Sequence, residues 1–268
     1  ALSLASSWRG TPSNGLSSRY TRPRQGVIAF GEALDAVPEG AEVLLSFDYG
    51  PSYAGEIDPL ALAVVRRLAT RSVHMVAITT RPEGVGVAER VFAPLAREEP
   101  EYRYGRDYAI LGYLPGQELG LRAMTHGLSD AFKLDHVTGQ PLSALPVTHG
   151  LASIDDFDQV IVFSDEARSV RYWIEQVKSR RDVVLRAIVS ARIEPLLLPY
   201  RRAAQLDSLI GAAYGAAELD ETRDAGRAGS ASGTPSSSAD VYAVVLALML
   251  GLALLTNAIG AVHGEKGR

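Results

Sequence analysis

Two aspartates are the side chains in this sequence best placed to do chemistry. Asp48 directly follows one apolar run, and Asp165 follows another after a single serine. If both runs are strands of one parallel sheet, the two carboxylates lie at the ends of neighbouring strands and can share a divalent cation. Thr79 or Thr80, after a further apolar run, could then bind an anion with help from Arg81. This pattern predicts a candidate metal-binding site at the strand ends, with Asp48 and Asp165 as its ligands.

The arrangement resembles the haloacid-dehalogenase phosphohydrolases, in which an aspartate nucleophile ends the first strand and acidic metal ligands follow the fourth. The resemblance implies a nucleophilic role for Asp48 and a metal-ligand role for Asp165. The chain departs from the family pattern at Gly50, where the family has a second aspartate as general acid. The family also has a lysine before the fourth strand, and Lys133 is only a distant candidate for it. The alternative is that Asp48, Ser164 and Asp165 cap helices and turn loops, as such residues usually do at strand-to-helix junctions.

Other reaction classes lack their sequence signatures. The chain has no cysteine, which excludes thiol nucleophiles, disulfides and cysteine-ligated zinc. None of its 5 histidines is spaced as HxxxH or HExxH, so a zinc hydrolase has no local support. No glycine-rich phosphate-binding motif follows the first apolar run, so we expect no nucleotide and no other cofactor. The net charge of -4 provides no basic field for nucleic acid, so we expect no nucleic-acid partner.

The elements that must position these residues alternate along the chain. Apolar runs typical of buried strands occur at 43–47, 73–78, 108–112, 160–163 and 183–189. Helical patterns occur at 26–37, 60–70, 85–97, 117–132 and 167–180. Strands that are apolar on both faces and alternate with amphipathic helices predict a doubly wound α/β domain, Rossmann-like or flavodoxin-like, with a mostly parallel sheet of about five strands. We expect the strand order 3-2-1-4-5.

Proline positions predict where several helices begin and end. Asp58 and Pro59 are typical of an N-cap and a first helical residue, so they predict the start of the helix at 60–70. Pro94 predicts a kink or an early stop in the helix at 85–97. Residues 194–222 are predicted to be helical after a break at Pro199.

The segment 241–262 predicts a single C-terminal transmembrane helix. It is uncharged, and only Tyr242, Thr256 and Asn257 are strongly polar. At about 1.5 Å per residue, such a helix reaches roughly 33 Å, enough for the ~30 Å hydrocarbon layer. A buried helix of a soluble domain is the alternative, but such helices are usually shorter. Before the segment we expect an unstructured arm at 1–25, the α/β domain at 26–222 and a flexible Gly/Ser linker at 223–240, and after it a short polar tail at 263–268.

One face of the predicted span is suited to close helix packing. Ala243, Ala247 and Gly251 recur every four residues, which would let another transmembrane helix approach closely. Asn257 lies further along and would gain from a hydrogen bond to a neighbouring helix. We therefore expect other membrane-protein subunits as partners, contacted through this helix and through the N-terminal arm.

The side of the membrane is only weakly indicated. Arg223 and Arg227 before the span balance Lys266 and Arg268 after it, so charge does not set the orientation. The start at Ala1 rather than Met, together with the Ser/Gly-rich linker, favours an exported domain with its tail in the cytoplasm.

Because no reaction motif is complete, the first hypothesis is a non-catalytic, single-pass membrane-anchored subunit or docking module of a larger membrane protein complex. The alternatives are a membrane-anchored, metal-dependent, phosphatase-like hydrolase and a small-ligand sensor. Both alternatives would use the same strand-end cleft, where Asp48 and Asp165 are the candidate residues.

Overall fold

The computed structural model describes residues 25–212 and Leu219. In this part of the chain six strands form one all-parallel sheet in the order β3-β2-β1-β4-β5-β6. The strands are β1 Glu42–Asp48, β2 His74–Thr79, β3 Tyr108–Tyr113, β4 Gln159–Ser164, β5 Val184–Val189 and β6 Ser208–Gly211. The predicted α/β class and the predicted order of the first five strands are confirmed. The sixth strand, β6, extends the sheet beyond the prediction.

Seven α-helices lie within the described residues. They are α1 Gln25–Asp35, α2 Ala54–Ala69, α3 Gly84–Glu98, α4 Glu118–Met124, α5 Leu128–Ala131, α6 Ala167–Trp173 and α7 Glu194–Arg202. After α6 the chain continues as one π-helical turn, Ile174–Lys178. Single π-helical turns of this kind are uncommon and frequently mark functional positions.

The sheet is covered on both faces, because successive side chains of a strand point to opposite sides. In β1, Val43, Leu45 and Phe47 pack in one core layer with α1, α2 and α3. Leu44 packs in the other layer, which contains apolar side chains of α4, α5, α6 and α7. The same alternation directs Asp48 toward the second layer.

Helix α2 begins six residues before the predicted start, so that prediction is wrong. The reason is that the Asp58 carboxylate does not cap the helix: it accepts hydrogen bonds from the Tyr49 hydroxyl at 2.7 Å and from Arg90 Nε at 2.5 Å. The helix follows a short 3-10 turn, Pro51–Tyr53, and Pro59 lies inside it.

Two further helix predictions are wrong in part. Of the kink and the early stop predicted at Pro94, the stop is contradicted, because α3 continues to Glu98. The helix predicted at 194–222 begins as α7 but is replaced by β6 at Ser208–Gly211, because Ile210 pairs with Ile188 of β5 and is buried in the sheet. Pro199 lies within α7 and does not break it.

The helix predicted at 117–132 is divided into α4 and α5. Gly127, between them, is extended at φ -167° and ψ 123°. The next amide, of Leu128, donates to the carbonyl of Ala152 at 2.7 Å rather than to a helical carbonyl. This long-range hydrogen bond takes the chain out of the helix.

The C-terminal end of α2 is joined to the last described residue. Arg67 Nη1 donates to the Leu219 carbonyl at 3.2 Å, and Arg67 Nη2 pairs with Asp35 Oδ2 at 2.5 Å. Because α2 runs back from the end of β1 to the start of β2, this contact lies at the edge where the strands begin.

No helix within residues 25–212 is long and apolar enough to cross a membrane. The predicted span at 241–262, with its packing residues Ala243, Ala247, Gly251 and Asn257, lies outside the described residues, as do the linker, the tail and nearly all of the arm. These assignments stay predictions.

Candidate functional site

The carboxyl ends of the six strands meet at one edge of the sheet. In open parallel sheets, ligands bind at this edge, at the point where the direction of strand succession reverses. Here that point lies between β1 and β4, which are neighbours in the sheet and pair Asp48 with Ser164. The structure therefore brings the loops after β1, β2 and β4 to the place expected for a site.

Asp48 is wholly buried at this point, with 0% of its surface exposed. Its Oδ1 accepts hydrogen bonds from the Thr80 amide at 2.7 Å and from the Ser46 hydroxyl at 2.9 Å. Its Oδ2 accepts from Trp173 Nε1 at 3.0 Å. Burial raises the pKa of Asp48, and these donors partly oppose the rise. The carboxylate thus ties β1, β2 and α6 together.

Asp165 is engaged differently, by cations. Its Oδ1 lies 2.5 Å from Arg81 Nη1, and its backbone carbonyl accepts from Arg192 Nη2 at 3.3 Å. Burial raises the pKa of Asp165, while Arg81 and the Gly50 amide act in the opposite direction. The same guanidinium also pairs with Glu83.

Asp48 and Asp165 therefore face different partners. Asp48 points at Trp173, whereas Asp165 points at Arg81, and neither carboxylate hydrogen-bonds to the other. No group of three His, Asp or Glu side chains within the described residues could hold a metal ion. The shared metal site remains a prediction.

Thr79, which ends β2, and Thr80, which follows it, also have internal partners. The Thr79 hydroxyl donates to the Arg81 carbonyl at 2.8 Å and accepts from the Arg81 amide at 3.0 Å. The Thr80 amide is bound to Asp48, as described above. The residues predicted to bind an anion are thus part of the framework that shapes this edge.

Helix α3 approaches the strand ends very closely at Gly84. A β-carbon at this position would overlap the Phe47 carbonyl oxygen and the Thr79 hydroxyl. Glycine allows the helix to pack directly on the backbone of β1. This contact fixes the loop 80–83 against the sheet.

An open cavity of ≈ 240 Å³ lies beside this framework, between the loops that follow β2, β3 and β4. Its lining consists of Thr80, Arg81, Pro82, Glu83, Gln117, Glu166, Arg168, Ser169 and Tyr172. Arg81 was a candidate from the sequence, but Gln117, Arg168, Ser169 and Tyr172 were not. The signal that could have pointed to them is their position in or just after strand-end loops.

Gln117, in the cavity wall, has an unusual backbone. It adopts φ 48° and ψ -111°, and the Leu119 amide donates to the Gly116 carbonyl at 2.9 Å across it. This is the second position of a type II′ turn, which ordinarily requires glycine. Strained non-glycine residues of this kind cost about 1–3 kcal/mol and cluster at functional sites.

The edge thus combines carboxylates that are hydrogen-bonded within the protein with a polar cavity that is open to solvent.

The chain matches no protein-family model, no curated protein and no solved structure.

Proposed function

We propose that the α/β domain is a non-catalytic docking module of a larger membrane protein complex, anchored by one C-terminal transmembrane helix. The observation that supports this proposal is the burial and hydrogen bonding of Asp48. A side chain with 0% exposure that accepts from three donors is a structural element, not a nucleophile presented to substrate.

The rival function, phosphomonoester hydrolysis, would need Asp48 to leave these donors. A movement that turned the Asp48 carboxylate toward a substrate would expose Trp173, which is wholly buried. It would also leave the Trp173 indole N–H and the Thr80 amide without an acceptor. Each unsatisfied buried donor costs about 1–3 kcal/mol. This cost argues against hydrolysis at Asp48.

The membrane part of the proposal is supported by the sequence of the segment 241–262. Its small-residue face, Ala243, Ala247 and Gly251, and the polar Asn257 are suited to packing against other transmembrane helices. In this proposal the α/β domain lies on the extracytoplasmic side, and the partners are other membrane-protein subunits that also contact the N-terminal arm.

Co-purification from the native membrane in mild detergent tests the docking proposal. We expect the full-length protein to arrive in a stoichiometric complex, and Gly251→Leu to dissociate it by blocking close helix approach. Ala253→Leu is the matched control, because it introduces the same leucine side chain roughly opposite Gly251 on the helix. Recovery of the wild-type protein as a lone monomer would contradict the proposal.

A hydrolase assay supplies the opposing test. The detergent-purified protein is incubated with a generic phosphomonoester and Mg²⁺, and we expect no turnover above the buffer control. Turnover that Asp48→Asn abolishes, in a variant shown by its thermal melt to be folded at the assay temperature, would establish the hydrolase instead.

A further inference from the structure

We propose that the cavity of ≈ 240 Å³ at the strand-end edge is a binding site for a small zwitterion with one carboxylate and one ammonium group, as a free α-amino acid carries. This inference goes beyond the docking function and does not depend on the membrane anchor. It rests on the charges, the unengaged polar groups and the strained turn of the cavity wall.

The charges of the wall balance. Arg81 and Arg168 contribute two positive charges, and Glu83 and Glu166 contribute two negative ones. Arg81 is already paired with Asp165 and Glu83, so Arg168 and Glu166 are the two charges left to meet a ligand. A simple anion would meet both glutamates, and a simple cation would meet Arg168. A ligand with one charge of each sign complements the wall without leaving an unmatched group.

Arg168 is the group that would bind the carboxylate. Its guanidinium is exposed and makes no hydrogen bond or ion pair within the described residues, whereas Arg81 is already held by Asp165 and Glu83. Arginine binds carboxylates through two parallel N–H bonds, which gives both affinity and orientation. The hydroxyls of Ser169 and Tyr172 lie in the same wall as further donors.

Glu166 is the group that would accept the ammonium. Its side chain is 52% exposed, and its Oε1 is 3.5 Å from Arg81 Nη1, beyond a strong charged hydrogen bond. Its carboxylate therefore retains room for another donor. Because Glu166 and Arg168 are two residues apart in one strand-end segment, they can hold the two charges of a single small molecule.

The strained turn is an independent indication of a ligand. Gln117 keeps a positive φ of 48° where glycine would relieve the strain, and its side-chain amide makes no hydrogen bond within the described residues. A cost of about 1–3 kcal/mol is expected to persist where a side chain is needed. The amide can both donate to a carboxylate and accept from an ammonium.

The volume accommodates a small molecule. A cavity of ≈ 240 Å³ that is open to solvent has room for a free amino acid. The polar wall favours a ligand with a short or polar side chain.

Isothermal titration of the full-length protein in detergent with each of the twenty proteinogenic amino acids tests the proposal. We expect at least one of them to bind saturably. Arg168→Gln and Glu166→Gln should each weaken that binding at least tenfold, which corresponds to about 1.4 kcal/mol. Arg171→Gln is the matched control, because Arg171 is an exposed arginine of the same helix that does not line the cavity.

Three results would overturn the proposal. They are no saturable binding by any amino acid, equal binding in Arg168→Gln, and equally tight binding of the corresponding carboxylic acid without its amine. Thermal melts of both variants show whether the fold is intact. Assembly into a membrane complex is measured separately by co-purification, so a failure of this site leaves the docking proposal standing, and the reverse also holds.

Discussion

The indole N–H of Trp173 donates a 3.0 Å hydrogen bond to Asp48 Oδ2, and both side chains are wholly buried. The bond joins the end of β1 to α6, which stand 125 positions apart in the chain. A charged group at a strand end is thereby converted into a link between the sheet and the helices that cover it. The edge that carries catalysis in many α/β enzymes is here stabilised from within.

Replacing Asp48 by asparagine should lower the free energy of unfolding by about 2 kcal/mol, because an amide nitrogen cannot accept from the indole. The measurement is urea unfolding followed by far-UV circular dichroism, because Trp173 is itself replaced in two of the variants and Trp8 lies outside the described residues. Trp173→Phe removes the donor instead, so the double variant should lose less than the sum of the two single variants. Strict additivity would mean that the two side chains do not interact.

Gly84→Ala should destabilise the protein by about 3 kcal/mol, because its β-carbon would overlap the Phe47 carbonyl and the Thr79 hydroxyl. Gly86→Ala, in the same helix, is the matched control. Its β-carbon would meet no atom within 4 Å, so we expect a gain of about 0.5–1 kcal/mol from helix propensity. Thermal unfolding of both variants distinguishes a steric effect from a general intolerance of α3 to substitution.

Gln117→Gly should raise the free energy of unfolding by about 1 kcal/mol, because glycine adopts the turn conformation without strain. Ala123→Gly, within α4, should instead lower it by about 1 kcal/mol. If the Gln117→Gly variant is more stable but binds an amino acid more weakly, the strained turn is kept because the Gln117 side chain contributes to binding. A loss of stability in this variant would contradict the assignment of strain.

Asp135 provides a test by pH. Its carboxylate accepts from the hydroxyl and the amide of Thr138, from the amides of Val137 and Gln140, and from the Tyr104 hydroxyl at 2.6 Å. Burial alone would raise the pKa of Asp135, but these hydrogen bonds outweigh it and hold the pKa below the ordinary 3.8. A lowered pKa in the folded state stabilises the protein above the unfolded-state pKa, and the contribution is lost as the pH falls through the folded-state pKa.

Asp135→Asn should therefore lower the free energy of unfolding by about 2 kcal/mol at pH 7, and the difference from wild type should shrink below pH 3.8. Urea unfolding between pH 7 and pH 2 measures it. Asp130→Asn, at an exposed carboxylate nearby, should change stability little at any pH. A difference for Asp135→Asn that grows on acidification would contradict the argument.

The sheet could be predicted because each of its first five strands is marked by the residue pattern of its own short segment. Each of the strands β1 to β5 contains four to six buried residues, most of them apolar, and their alternation with amphipathic helices fixes a doubly wound arrangement. Helix bounds were less predictable where tertiary contacts decide them. Asp58 has the sequence position of an N-cap, yet Tyr49 and Arg90 take up its carboxylate.

The sequence predicted that Asp48 and Asp165 lie at one edge of the sheet, but it did not predict the hydrogen-bond partners of either carboxylate. Strand-end position correctly located Asp48 and Asp165 at the edge, since that follows from topology. The direction and partners of each carboxylate depend on Trp173 and Arg81, which come from distant segments that no sequence spacing connects. The cavity was missed because Gln117 enters it through a turn that normally requires glycine.

The hydrogen bond between Arg67 and the Leu219 carbonyl holds the last described residue at the edge of the sheet where the strands begin. Leu219 is buried there with apolar side chains of α1 and α2. The cavity opens at the other edge, where the strands finish. A small solute can therefore enter and leave the cavity without displacing Leu219.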